Sequence, residues 1–120
     1  MNRRSVGEEK ENLAIRYLSD LGCRILFHGF HTRQGEIDII ALEGDTLCFT
    51  EVKYRKDQSA GLPEEAVSFA KQRKICRCAD SFLYLHPEYT GYNIRFDVVG
   101  ILGDTIRITR NAFPYCGRAI

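Results

Sequence analysis

Asp38, Glu51 and Lys53 carry the strongest chemical signal in this chain. Asp38 lies in the run Gly35-Glu36-Ile37-Asp38-Ile39-Ile40, and the other two in Glu51-Val52-Lys53. Between them, Glu43-Gly44-Asp45-Thr46 separates two strand-like stretches, and Gly-Asp in that setting is a type II′ hairpin signal. A turn at Gly44 and Asp45 predicts a register in which Asp38 faces Glu51 and Glu36 faces Lys53, all four on one sheet face. Opposed carboxylates repel unless something positive lies between them. Lys53 supplies one positive charge, and a divalent cation supplies more. Mg²⁺ or Mn²⁺ suits such a site, because hard ions take one or two carboxylates and complete their shell with water and phosphate oxygens. The chemistry that follows is phosphodiester hydrolysis, with a lysine steadying charge that develops on phosphorus. The competing reading is a cross-strand ion-pair ladder on an exposed strip, a common surface feature. Against it stand the neighbours: Ile40, Leu42, Leu47 and Phe49 on one face and Ile37, Ile39, Ala41, Cys48, Thr50 and Val52 on the other suggest a hairpin covered on both sides.

The elements around this hairpin are legible on either side. Ser5-Val6-Gly7-Glu8 has the capping-box pattern, and Leu13, Ala14, Tyr17, Leu18 and Leu21 recur at helical spacing up to Gly22. Glu11 falls in line with that buried stripe, so its carboxylate should point towards the protein and could close the same site from the helix. Cys23 to His31 reads as a strand ending near a loop at 32–35, followed by the hairpin strands Glu36 to Leu42 and Leu47 to Tyr54. Gly61-Leu62-Pro63 opens a second helix, predicted from about Glu64 to Leu85 and stopped by Pro87. It carries Val67, Ala70, Ile75, Ala79, Phe82 and Leu83 towards the core. Lys71, Arg73, Lys74 and Arg77 form a basic strip on its outer side that suits phosphates as well as solvent. Asn93 to Leu102 and Thr105 to Thr109 read as two further strands joined at Gly103-Asp104, and Asn111 to Ile120 as a loose tail. The order α-β-β-β-α-β-β predicts an α/β fold, a mixed sheet flanked by helices, in one domain over 1–110 with a tail at 111–120.

Bulk properties agree with one globular domain: 120 residues, 44% hydrophobic, mean hydropathy −0.26. No apolar run reaches the roughly 18 to 20 residues that span a bilayer, and Met1 to Ser5 is followed by acidic residues and not by an apolar leader core. A cytoplasmic protein with no membrane partner is therefore expected. The five cysteines are odd in number and form no C-x-x-C pair, which reads as reduced thiols. Cys76 and Cys78, two apart on a helix, should point to different sides as small apolar fillers. His28, His31 and His86 have no partners at metal-site spacing, so structural or surface roles are expected. Asp97 in Arg95-Phe96-Asp97-Val98 is expected to be a salt-bridged structural residue. A net charge of +1 neither demands nor excludes a polyanionic partner, because local patches set the field that a phosphate backbone feels.

An acidic residue on one strand and E-x-K on the next resembles the PD-(D/E)XK nuclease superfamily. The helix segment Glu11 to Leu18, Arg33 to Ala41, Glu51 to Arg55, Glu65-Ala66-Val67, Lys71-Gln72-Arg73 and Arg95 to Val99 together resemble the YraN family within it. That resemblance implies a restriction-endonuclease-like core, metal ligation by Asp38, Glu51 and Glu11, and catalytic support from Lys53. It implies substrate contact, less strongly, at Glu36, Arg33, Arg55, Lys71 and Gln72, with Glu36 acting to orient. One departure is Lys10, where the family often has glycine directly before the helix glutamate. The implied activity is a Mg²⁺- or Mn²⁺-dependent endonuclease acting on structured or branched DNA, as Holliday-junction resolvases do, with a homodimer by analogy. The alternative is a nucleic-acid-binding module of a repair or recombination assembly without turnover of its own.

Overall fold

The computed structural model describes the backbone of residues 3–117 and the side chains of residues 6–117. Helix α1, Arg3–Asp20, buries Ala14 and Leu18 and leaves Leu13 and Leu21 at the exposed edges of its apolar stripe. It starts two residues before Ser5, so Ser5 lies inside the helix and not at its cap; the Ser5 side chain falls outside the described residues. Its end is a Schellman motif: the Cys23 N–H reaches the Leu18 carbonyl at 3.0 Å and the Gly22 N–H the Ser19 carbonyl at 3.0 Å, with Gly22 at φ +95°.

Three antiparallel strands follow, β1 (Arg24–Thr32), β2 (Gly35–Glu43) and β3 (Thr46–Arg55). Short 3₁₀ turns at Gln58–Ala60 and Pro63–Ala66 lead into α2 (Phe69–Leu85), a third at Pro87–Tyr89 leaves it, and β4 (Asn93–Leu102) and β5 (Thr105–Thr109) complete the sheet. The sheet order is β1-β2-β3-β4-β5, with β3 and β4 parallel across the α2 crossover and every other pair antiparallel. This is the mixed α/β architecture expected from the element order. The second helix is shorter than predicted. Val67 is extended, and the Ser68 hydroxyl accepts the Lys71 N–H at 3.2 Å as the N-cap, so Glu64 to Ala66 form a separate turn and Ala70 is exposed.

Each face of the sheet has its own core. On the α2 side Ile40, Leu47, Phe49, Phe96 and Val98 pack under Ile75, Cys76, Cys78, Ala79 and Phe82. Phe82 lies edge-on to Phe27, Phe30 and Phe49, with ring centroids 5.2, 5.4 and 5.8 Å away. On the α1 side Ile39, Ala41 and Val99 meet Ala14, Leu18 and Cys23. The two neighbouring cysteines of α2 diverge as expected, Cys78 to the Thr32 hydroxyl at 3.0 Å and Cys76 to Cys116 at 3.8 Å between sulfurs, and all five thiols are free.

Residues 111–117, the described part of the stretch expected to be a loose tail, pack against the domain. Phe113 is buried and stacks on Phe96 at 5.3 Å, the Ala112 N–H bonds the Phe96 carbonyl at 2.7 Å, and Tyr115 donates to Asp80 at 2.7 Å. One buried aromatic is enough to fold back a stretch that otherwise reads as polar and turn-rich. Asp97 is structural, as expected: it is 1% exposed and accepts two bonds from Arg95 and one from the Asn111 N–H. Arg95 and Arg110 both reach on to Glu43, tying β2, β4 and the end of β5 together. Among the described residues no helix is long and apolar enough to cross a membrane.

Candidate active site

The β2–β3 ladder follows the predicted register from Glu43 and Thr46 as far as Ile39 and Thr50, and stops there. Gly44 at φ +61°, followed by an Asp45 whose φ is not positive, fits the type II′ turn that sets this register. One step further, where Asp38 and Glu51 were expected to face each other in the ladder, the strands part. Continued regularly, the ladder would place Ile37 opposite Val52. Instead the Val52 N–H donates to Asp38 Oδ2 at 2.8 Å, and a carboxylate takes the place of a strand carbonyl.

The parting coincides with a change of face along β1 and β2. Ile37 belongs to the α2 core and Ile39 to the α1 core, although residues two apart in a strand should share a face. Their partners Phe30 and His28 divide in the same way, Phe30 to the α2 core and His28 to α1 through Glu11. Between those two pairs Gly29 stands opposite Asp38, in the left-handed region at φ +73°. The paired strands therefore rotate at Gly29 and Asp38. Of the four residues expected on one face, Glu51 and Lys53 stay two apart on an unbroken stretch of β3, and Asp38 and Lys53 both act on the Glu51 carboxyl. Glu36 departs, turning to His31 and the cleft beside α1.

Glu51 is the most perturbed acid of the group. It is 4% exposed, its Oε1 is buried without a hydrogen-bond partner, and its Oε2 lies 3.7 Å from Lys71 Nζ of α2. Burial pushes its carboxyl up to about 8, and the charge of Asp38 and contact with it act in the same direction against the opposing pull of Lys71 and Lys53. Glu51 is thus set against Asp38 with two ammonium groups beside it. Lys71, expected on the outer strip of α2, turns inward and serves this carboxylate.

Glu11 reaches the same neighbourhood from α1, as its place in the buried stripe predicted. Burial, and next the charge of Asp38, raise its carboxyl above the ordinary value, and a 2.7 Å hydrogen bond with His28 Nε2 opposes them. Lys10, the departure from the family pattern, sits 4.4 Å over the Tyr54 ring and ties α1 to β3. Glu36 lies 3.3 Å from His31 Nε2. Glu11, His28, Gly29, His31 and Glu36 line a cleft of about 710 Å³ between α1 and the β1–β2 hairpin. Structural or surface roles were expected of the histidines; His28 and His31 are exposed, and each pairs with a glutamate, His28 with Glu11, 17 residues away in α1, and His31 with Glu36 across the β1–β2 ladder.

The remaining candidates lie further out. Arg33 is exposed in the turn between β1 and β2, beyond the Thr32–Gly35 pair that closes the hairpin. Arg55, at the end of β3, bonds the Tyr54 carbonyl at 2.9 Å, while its Nε is buried without a partner. Gln72 donates its amide to the Val67 carbonyl at 3.0 Å, which shapes the entry to α2. Among the described residues no group of three or more His, Cys, Asp or Glu side chains is gathered as a ready-made metal cage. The donors that do fit a cation are Asp38 and the unpartnered Glu51 Oε1, within the one or two carboxylates that Mg²⁺ ordinarily takes from protein.

Residues 10–101, the stretch holding Glu11, Asp38, Glu51, Lys53 and Lys71, match the model of the uncharacterised protein family UPF0102. The chain belongs to the UPF0102 family. It is 44% identical over 119 residues to a UPF0102 protein of Lachnoclostridium phytofermentans, a match covering 98% of this chain and 99% of that one. A UPF0102 protein of Caldicellulosiruptor bescii is 47% identical over 104 residues, covering 87% of each chain. One from Alcanivorax borkumensis is 41% identical over 104 residues, covering 87% of this chain and 83% of its own. In this UPF0102 member the α1 glutamate, the β2 aspartate and the β3 Glu51-Val52-Lys53 run all fall within the family match.

Proposed function

We propose that this UPF0102 protein is a Mg²⁺- or Mn²⁺-dependent endonuclease of the PD-(D/E)XK type, built on a restriction-endonuclease-like core and acting on structured or branched DNA. The observation that supports this reading best is Glu51: a carboxylate 4% exposed, set against a second carboxylate, with one oxygen left without a partner. A buried acid of that kind takes up either a proton or a cation. Asp38 and Glu51 would hold the metal, which when bound polarises a phosphodiester and acidifies a coordinated water. Asp38 is fixed for that role by the Val52 N–H, and Glu11 stands behind it, held by His28. Lys53 keeps its ammonium close enough to act on Glu51 and would steady negative charge developing on the phosphoryl oxygens. Lys71 neutralises Glu51 from the other side. By analogy with resolvases, two copies would cut paired strands.

A nucleic-acid-binding module without turnover is the second reading, since the exposed cations Arg33 and Lys74 would contact phosphates whether or not a bond is cut. One experiment separates the two. Labelled four-way-junction, flap, duplex and single-stranded substrates are incubated with Mg²⁺, Mn²⁺ or EDTA, using the native protein, Asp38→Ala and Lys53→Ala. Nicking that EDTA and both substitutions abolish establishes the nuclease and names its substrate. Binding of all four substrates with no nicking under any condition moves the assignment to the binding module.

A further inference from the structure

The two sides of the candidate site carry opposite charge. The cleft on the α1 side is lined by Glu8, Glu11 and Glu36 together with His28 and His31. On the α2 side the β1–β2 turn leans on the helix. The Thr32 hydroxyl meets Cys78 at 3.0 Å, and Gly35 comes so near that a Cβ placed on it would lie 3.5 Å from the Lys74 Cβ. Arg33 lies in that turn, two residues before Gly35, and Lys74 sits one helical turn beyond Lys71, whose ammonium reaches Glu51. Arg33 and Lys74 are both exposed and form no ion pair among the described residues, whereas Arg95, Arg107 and Arg110 are each spent on an acid. Unspent positive charge therefore lies at Lys74 and Arg33, next to the Lys71 that is engaged with Glu51 at the edge of the site.

We infer that Lys71, Lys74 and Arg33 form a track for the phosphate backbone flanking the reacting phosphodiester, so that nucleic acid approaches from the α2 side and the acidic α1 cleft stays clear of it. The physical ground is that a polyanion follows exposed unpaired cations, here Lys74 and Arg33 leading to Lys71 at the site. It is not drawn to a cleft lined by glutamates and histidines with no lysine or arginine among the described residues. Lys74 belongs to the basic α2 strip expected from the sequence, and the approach of the β1–β2 turn to its Cβ gives the track its direction. The track rests on the proposal above that the partner is nucleic acid, but not on turnover.

Its test is a salt titration of binding in EDTA, where cleavage plays no part, read by fluorescence anisotropy on labelled duplex and four-way junction. The native protein is compared with Arg33→Gln/Lys74→Gln and with a control, Arg16→Gln/Arg24→Gln, that removes two exposed cations from α1 and the start of β1. Each lost phosphate contact lowers the slope of log K against log salt by about 0.9 on duplex DNA. The track predicts a slope shallower by nearly 2 for the first double variant and unchanged for the control, with both melting like the native protein. An unchanged slope in Arg33→Gln/Lys74→Gln, an equal fall in the control, or no binding by the native protein overturns it. Failure of the nuclease reading looks different: the slopes behave as stated while nicking is absent in Mg²⁺ and Mn²⁺.

Discussion

Replacing Glu51 with glutamine should stabilise this protein at neutral and alkaline pH when no divalent cation is present. The native carboxyl is pushed from an ordinary 4.5 to about 8, burial first and Asp38 next. An acid whose pKa is higher in the folded chain binds its proton more tightly there than in the unfolded chain. Its stabilising contribution is complete below about pH 4.5 and is lost as pH rises towards 8. A tenfold change in proton affinity is worth about 1.4 kcal/mol, which sets a ceiling of about 4 kcal/mol by pH 8. The pull of Lys71 and Lys53 is already contained in that value, and local relaxation brings the expected loss to about 2 to 4 kcal/mol, or roughly 10 °C in melting temperature. The assay is thermal unfolding followed by circular dichroism from pH 5 to pH 8, in EDTA and then in excess Mn²⁺. The native protein should lose stability across that range in EDTA and regain it in Mn²⁺, because the cation replaces the proton. Glu51→Gln, uncharged throughout, should show neither the loss nor the rescue. Glu11, also raised, contributes in the same direction to both proteins and cancels in the comparison. Parallel curves for the two proteins in EDTA would defeat this account, since Glu51 would then not be the group that carries the buried proton.

Two further outcomes follow from the same geometry. Gly29→Ala should cost about 1 to 2 kcal/mol, because an L-residue at φ +73° is strained even though its Cβ would meet nothing nearer than Glu36 Oε1 at 3.8 Å. Gly29→Asn should cost less, and urea unfolding of the pair separates backbone strain from lost space. At the other end of the hairpin, hydrogen bonds from Arg110 and then Arg95 hold Glu43 down at about 2. That stabilisation is present above the ordinary carboxyl pKa and disappears as pH falls from about 4.5 towards 2. Glu43→Gln should therefore cost about 1 to 2 kcal/mol at pH 7 after solvent screening, and the gap to the native protein should close at pH 2 to 3. An equal gap at both pH values would mean that packing, and not charge, holds the Arg95, Arg110 and Glu43 cluster.

The local parts of this protein are legible in its residue order. The Gly44-Asp45 turn and the alternation around it set the β2–β3 register as far as Ile39 and Thr50, because turn type and a period of two act between residues a few positions apart. The 3.6-residue stripe that sends Ala14 and Leu18 into the core also turns Glu11 inward, for the same short-range reason. Even so, a capping serine at position 68 moved the start of α2 against a plausible proline signal at Pro63. The site itself was settled by packing between distant segments. The point at which Asp38 leaves the ladder to bond the Val52 N–H coincides with the left-handed Gly29 in another strand, and alternation within β2 carries no record of that neighbour. Lys71 and His28 become partners of Glu51 and Glu11 only once α2 and β1 close over residues 20 and 17 positions away in sequence, respectively. Pairings of that kind are set by how two packed faces fit, so no spacing in the chain announces them.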